Sequence, residues 1–559
     1  MTKSLIAITS LALLLPATAS YGAECSAVTK PTRAKIMPTA KNPQYFHYNG
    51  STQVLVGASA EYLCHVRQPD SFGNPPLTPA QDYCEFTNYP SYIDNLRSSS
   101  TAANTIPSDG LNVMQMWISL DSSPGFDRGK GRPYDHEAPF PNNCAAWPAA
   151  CSSPVWNLNA FDQTFFDRLK CVLDYAWSKD LIVEITIFDP WQGNFQNSPW
   201  HNAFTHRACF ASKDYTDSTG TRCDASSTNV NGWARQRALI QQLSQQLCGY
   251  PNIYYEIANE VDLTGVEDTG QPALTPSQIL SWHQDMAGTL ATSELSCGHY
   301  IGANFHDPST LSTIGGSSFS VVNAHYTSIT GARFGANELI RTRDNGDANQ
   351  LNVIFGFNET KLTSDPALFG NPLPNTFQTA TAARAEAWEF VTSEGGVYDL
   401  YGERWQSMTS DTVPAIGYLK LAHGFVSSYN LNRVHRSPSA GVTPPAWVVG
   451  VASYGSSNTY WGAMESDMTQ VGDGNFLYIH HSSLNTATFQ RYNPLPGSYG
   501  PEHLFVKLPV GSYLAEWVLL SNGSIAVRMP FSVTVANQAT SIPASPGYSF
   551  DIALRITRQ

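Results

Sequence analysis

The run Tyr254-Tyr255-Glu256-Ile257-Ala258-Asn259-Glu260-Val261-Asp262 decides how the rest of the chain is read. It is short, apolar and β-prone, and it ends abruptly in an amide and a carboxylate. A run of that length between helical patterns reads as a buried parallel strand. In parallel α/β folds the carboxyl ends of strands are where chemistry is placed. Asn259-Glu260 is therefore a candidate acid/base site.

Outward from this run, strand and helix signals alternate. Apolar strand candidates are 53–58, 111–120, 181–188, 252–258, 299–304, 320–324, 352–357 and 397–401. The clearest helical patterns are 165–179, 233–247, 276–295 and 381–394, with a last one near 413–426 after the eighth strand. Eight strands, each followed by a helix, is the count of a (β/α)8 TIM barrel. Ahead of it, Asn42–Gly50 reads as a strand and an Asn49-Gly50 turn. Such a hairpin would close the bottom of the barrel.

Two connections are far longer than ordinary βα loops. The stretch 121–162 after the second strand holds Cys144 and Cys151, and 189–231 after the third holds Trp191, Trp200, His201, Cys209 and Cys223. Loops after strands build a barrel's mouth, so these two imply a walled cleft. Past about Asn430 the pattern becomes short alternating runs with turn signals such as Ser521-Asn522-Gly523, which predicts a C-terminal antiparallel β-sandwich. The expected division is a signal peptide at 1–23, a catalytic barrel with its entry hairpin at 24–430, and the sandwich at 431–559.

The signal reading rests on Lys3, the apolar run 5–15 and small residues ending at Ala19 or Ala23. It makes the mature protein secreted or periplasmic, with no membrane span. The ten cysteines fit an oxidising compartment. Cys144/Cys151 and Cys209/Cys223 are spaced as loop staples, and Cys248 and Cys297, which follow successive helical patterns, could join the two helices. With a net charge of −13 and no basic stripe, nucleic acid is an unsuitable partner. No CxxC pair, nucleophile elbow, zinc-protease motif or phosphate loop is present. Gly472-Asp473-Gly474-Asn475 offers a single carboxylate and reads as a hairpin turn, not a calcium loop. No cofactor and no metal are expected, and the chain is expected to be a monomer.

Hydrolysis of a glycosidic bond with retention needs two carboxyl groups about 5–5.5 Å apart. Glu260 ends the fourth strand. A second apolar run, Asn352-Val353-Ile354-Phe355-Gly356-Phe357-Asn358-Glu359, ends the seventh in a carboxylate. Strands four and seven lie nearly across a barrel, so both side chains could reach its axis. Glu61 and Glu394 are rivals for the second role. Glu394 reads as a helix end before Gly395-Gly396, Glu61 as a substrate contact, and Glu256 as a buried, hydrogen-bonded barrel residue or part of a support network for Glu260.

With Asn259-Glu260, His325-Tyr326 and Glu359 in that order, the chain resembles the clan A retaining glycoside hydrolases of the cellulase-like and apiosidase-like (β/α)8 superfamily. The opening Asn42-Pro43-Gln44-Tyr45-Phe46 is also similar to a secreted bacterial subgroup of it. The resemblance implies that Glu260 is the general acid/base, Glu359 the nucleophile, and Asn259 a donor to a sugar hydroxyl. His325 and Tyr326 would orient the nucleophile, and a carbohydrate would be the substrate. Where the clan carries an arginine on strand two, this sequence has Gln115, an amide without charge; Lys361 or Arg384 is a candidate compensating cation. Trp117, Trp191 and Trp200 are candidates to stack on sugar faces. The alternative reading is a catalytically inactive carbohydrate-binding or surface protein on the same fold.

Overall fold

The computed structural model describes residues 29–33, 36–38, 44–59, 89–99, 103–118, 134–136, 156–161, 163–188, 232–260, 276–305, 319–325, 353–359, 376–400, 412–437, 444–450, 459–483, 493–494 and 497–559. Three short strands, β1 (Met37–Pro38), β2 (Phe46–Tyr48) and β3 (Ser51–Gln53), form a small antiparallel sheet. Then come β4 (Leu55–Ser59), β5 (Val113–Trp117), the antiparallel pair β6 (Tyr134–His136) and β7 (Trp156–Phe161), β8 (Ile182–Phe188), β9 (Ile253–Ala258), β10 (Ile301–Phe305), β11 (Val321–His325), β12 (Ile354–Glu359) and β13 (Val397–Leu400). Strands β4, β5 and β8 to β13 close a parallel eight-stranded barrel. All eight expected strands are present, within a few residues of their predicted ends.

Six helices lie among the described residues: α1 (Tyr89–Arg97), α2 (Gln163–Ser178), α3 (Gly232–Leu247), α4 (Pro276–Ser293), α5 (Thr376–Val391) and α6 (Thr412–Ser427). Three of them end by one device, a residue in the left-handed region that turns the chain back to the barrel. Asp180 (φ 55°) follows α2, Gly298 (φ 70°) follows α4 and Glu394 (φ 64°) follows α5. Glu394 is thus a helix-end residue, as its Gly-Gly context implies. Cys248 and Cys297, just past α3 and α4, are joined in a disulfide.

Strand side chains alternate between the helices and the barrel axis. The outward set, including Met114, Val183, Ile185, Tyr255 and Phe357, packs on the helices in one continuous core. The inward set begins at the amino ends with Leu55, Val113, Ile182, Tyr254, Val321, Ile354 and Val397, which cluster with Ile36, Phe46 and Tyr48 of the entry sheet. Phe46 sits 5.4 Å from the Tyr254 ring and 5.3 Å from that of Tyr300. The entry hairpin therefore closes the bottom of the barrel with apolar rings.

Beyond the barrel come β14 (Val434–Arg436), β15 (Val448–Val449), β16 (Thr459–Ser466), β17 (Gly474–Ser483), β18 (Asn493–Pro494), β19 (Phe505–Val506), β20 (Gly511–Leu519), β21 (Ser524–Val533), β22 (Thr540–Ser541) and β23 (Asp551–Arg558). The main sheet runs β14-β16-β17-β23-β20-β21, and β15-β19-β22 form a second, smaller one. Between them lies a second core of Trp447, Trp461, Leu477, Trp517 and Ile552, among others. The molecule is a TIM barrel followed by an antiparallel β-sandwich. At the β16–β17 turn, Asp473 accepts two hydrogen bonds from the Arg433 guanidinium, at 2.7 and 2.9 Å. That pairing agrees with a turn and not a calcium loop.

Arg384 of α5 is spoken for. Its guanidinium grips Asp551 of β23 through two bonds of 2.8 Å, both partners only 2% exposed. It cannot be the compensating cation of the barrel centre. The other candidate, Lys361, lies outside the described residues.

Candidate active site

Above the apolar plug the barrel interior turns polar. Strand β8 sends in Glu184 and Thr186, β9 Glu256, β10 Asn304, β11 Asn323, β12 Asn358 and β13 Asp399, all buried. The amide of Asn323 donates to Glu184 and to Glu256 at 2.6 Å each. The amide of Asn358 donates to the same two at 3.0 and 2.7 Å. Tyr254 donates its hydroxyl to Glu184 at 2.6 Å, and Thr186 donates to Glu256 at 3.0 Å. Among the described residues no cation bonds to these carboxyls.

Three carboxyl groups buried in one barrel cannot all be ionised at modest cost. Burial raises the Glu184 carboxyl well above the usual range, and the charges of Glu256 and Asp399 add to it. Burial first, then Glu256, does the same to Asp399. The interior is therefore a layer of buried carboxyls in which the amides of Asn323 and Asn358 hold Glu184 and Glu256.

At the carboxyl end of β9 the candidate pair departs from the ladder. The Asn259 N–H still bonds the Phe188 carbonyl at 2.9 Å. Glu260 then adopts φ 40°, in the left-handed region, which a non-glycine residue enters only when its surroundings hold it there. Its N–H turns to the side-chain oxygen of Asn304, 2.9 Å away. Glu260 is 7% exposed and Asn259 2%. The Asn259 side-chain oxygen has no hydrogen-bond partner among the described residues, a buried acceptor available for a donor from outside.

Strand β12 carries an irregularity where it matters. Asn323 pairs with Gly356, but His325 pairs with Glu359, so β12 spends three residues where β11 spends two. Such a bulge re-phases the strand. It makes Glu359, not Asn358, the residue opposite His325 at the carboxyl end. In the ring, β12 stands three strands from β9.

Of the other expected site residues, Gln115 and Trp117 lie on β5 and are buried. Gln115 donates to Thr186 at 3.2 Å, and its side-chain oxygen is unpaired among the described residues. Glu61, Trp191, Trp200 and Tyr326, with the cysteine pairs Cys144/Cys151 and Cys209/Cys223 and the 1–23 segment, lie outside the described residues. Glu256 is the buried, hydrogen-bonded barrel residue its position implied. Sequence reasoning passed over Glu184, Asn304, Asn323, Asn358 and Asp399. Their signal was there: a polar residue at alternate positions in otherwise apolar runs, as in Ile182-Val183-Glu184-Ile185-Thr186. Among the described residues no group of three or more His, Cys, Asp or Glu is arranged to hold a metal ion.

No family model matches the chain, and no curated protein matches it. Solved structures do. One described as a glycoside hydrolase aligns over 94% of this chain and 97% of its own, at 11% identity and a TM-score of 0.54. A glycoside hydrolase family 5 protein from Bacteroides vulgatus aligns over 94% and 93%, at 10% identity and a TM-score of 0.53. At these identities the likeness is one of fold, and it extends through the sandwich as well as the barrel.

Proposed function

We propose that this chain is an exported retaining glycoside hydrolase that cleaves O-glycosidic bonds of a polysaccharide or oligosaccharide by double displacement. The observation that carries the reading is the placement of two glutamates, Glu260 and Glu359, at the carboxyl ends of the fourth and seventh barrel strands, β9 and β12. Its fold neighbours are described as glycoside hydrolases, which favours the same chemistry here. Glu260 serves as general acid/base and Glu359 as nucleophile. For the acid role Glu260 must carry its proton until glycosylation neutralises Glu359, which calls for a neighbouring negative charge and partial desolvation. Asn259 offers its amide to a sugar hydroxyl, His325 and Tyr326 orient the nucleophile, and Trp117, Trp191, Trp200, Gln115 and Glu61 line the saccharide. The working division is a signal peptide at 1–23, the barrel at 24–430 and the sandwich at 431–559, acting as a monomer without cofactor. A secreted or periplasmic location is supported by the Cys248–Cys297 disulfide. Among the described residues no helix is long and apolar enough to cross a membrane.

The decisive experiment is a screen of aryl glycosides and polysaccharides with wild type, Glu260→Ala and Glu359→Gly. Each variant should lose on the order of a hundredfold or more in turnover. Azide should rescue Glu359→Gly with an inverted glycosyl azide, and Glu260→Ala with a retained one. Rescue in the opposite sense would exchange the two roles. Gln115 favours a second reading, a carbohydrate-binding protein without activity, because an uncharged amide stands where the clan keeps a cation beside the nucleophile. A wild type that binds glycans yet hydrolyses none of the panel would establish that reading.

A further inference from the structure

We propose that Asn304 is a positioning residue that sets the backbone carrying Glu260 and ties it to the strand carrying Glu359; this rests on the hydrolase reading above. Strand β10, where Asn304 sits, supplies neither of the proposed catalytic glutamates. Yet the Asn304 side chain touches both strands that do. Its oxygen accepts the Glu260 N–H at 2.9 Å, at the residue whose φ is 40°. Its amide donates to the oxygen of Asn358, the residue before Glu359, at 3.0 Å, and to Glu256 at 3.0 Å. Asn304 itself is fully buried.

The physical role follows from what the left-handed turn needs. At this turn the Glu260 N–H bonds a side chain and not a strand carbonyl, and a buried N–H without an acceptor is costly. Asn304 is the acceptor, so the turn and the direction in which Glu260 leaves the strand are held together. The other end of the same amide is fixed by Asn358 and Glu256, which in turn are locked to Glu184 and Asn323. The distance between the proposed acid and the strand of the proposed nucleophile is thus bridged by one side chain. An aspartate there would keep the accepting oxygen and the shape while losing the donor; an alanine would lose both.

The experiment measures kcat/KM on dinitrophenyl glycosides, whose leaving group needs no proton, and on unsubstituted phenyl glycosides, whose leaving group does. The panel covers common hexoses and pentoses and uses the full chain. Asn304→Ala should lose about tenfold or more on the phenyl glycoside and change less than about threefold on the dinitrophenyl one. Asn304→Asp, which keeps the acceptor for the Glu260 N–H but turns an oxygen toward Glu256 and Asn358, should lose turnover on both substrates while keeping close to the wild-type ratio between them. An equal loss on both substrates in Asn304→Ala would mean a merely structural role and would overturn the inference, as would an Asn304→Asp ratio like that of Glu260→Ala. Should Asn304→Ala fail to give a cooperative melt, the Asn304→Asp ratio alone decides. A wild type inert on the whole panel would sink the hydrolase reading and this inference with it. An active wild type with a uniform loss would sink this inference only.

Discussion

Asp399 points both carboxyl oxygens into the barrel without a hydrogen-bond partner among the described residues, and burial, then the charge of Glu256, raises its carboxyl well above the ordinary range. A carboxyl whose pKa is higher in the folded than in the unfolded chain holds its proton more tightly in the native state. The stability that it contributes is complete below the unfolded carboxyl range, at about pH 4, and is lost as pH rises toward the raised value. Asp399→Asn keeps the shape and removes that loss. The variant is expected to be more stable than the parent by about 1–3 kcal/mol at around pH 8, with the gap shrinking toward about pH 4. Urea unfolding at the two pH values measures it, and an unchanged gap would contradict the assignment.

At the scale of elements, β12 is held by the absence of side chains as much as by their presence. A Cβ on Gly356 would stand 1.7 Å from the Asn323 side-chain oxygen, on the amide that clamps Glu184 and Glu256. A Cβ added at Gly288 of α4 would meet nothing within 4 Å. Gly356→Ala should therefore cost about 1–3 kcal/mol, whereas Gly288→Ala should gain up to about 1 kcal/mol from helix propensity. Chemical denaturation of both variants checks the pair, and equal effects would show that the amide layer tolerates displacement. The barrel strands could be read from the sequence because each is an apolar run ending near polar residues, a purely local signal. Helix α1 escaped notice although its buried Tyr89, Tyr92, Ile93 and Leu96 keep helical spacing, because it spans only nine residues and opens with Pro90, tolerated in a first turn. The pair β6 and β7 was hidden inside what read as one long loop. The bulge at Glu359 could not be read at all, since register is a relation between two strands. For the same reason Glu260 was visible as a strand end while Asn304, its hydrogen-bond acceptor, was not.

Across the whole molecule, barrel and sandwich share one core. Trp388 of α5 stacks on Tyr478 of β17 at 5.4 Å, and Phe425 of α6 meets Phe476 edge-on at 5.6 Å. His480, kept neutral by burial, then by His481 and Arg384, bonds Glu389 at 2.5 Å. Ile525 donates its N–H to the Asn104 carbonyl at 2.7 Å. Burial holds the Asp551 carboxyl above its ordinary range in spite of Arg384, so breaking the pair costs more than forming it contributes. Removing one partner strands the other charge: Asp551→Ala should lose about 3–5 kcal/mol. Calorimetry should show a single endotherm for the full chain, shifted as a unit in that variant. Two separate endotherms would show that the two parts unfold independently.

The grip of Arg384 on Asp551 spans 167 positions of sequence. At about 5–20 residues per second, synthesis takes on the order of ten to thirty seconds to travel from one to the other. During that interval Arg384 has no Asp551 to pair with, and Trp388 and Phe425 lack Tyr478 and Phe476. A barrel made ahead of its sandwich therefore stays incomplete on that face until the last strand has been synthesised.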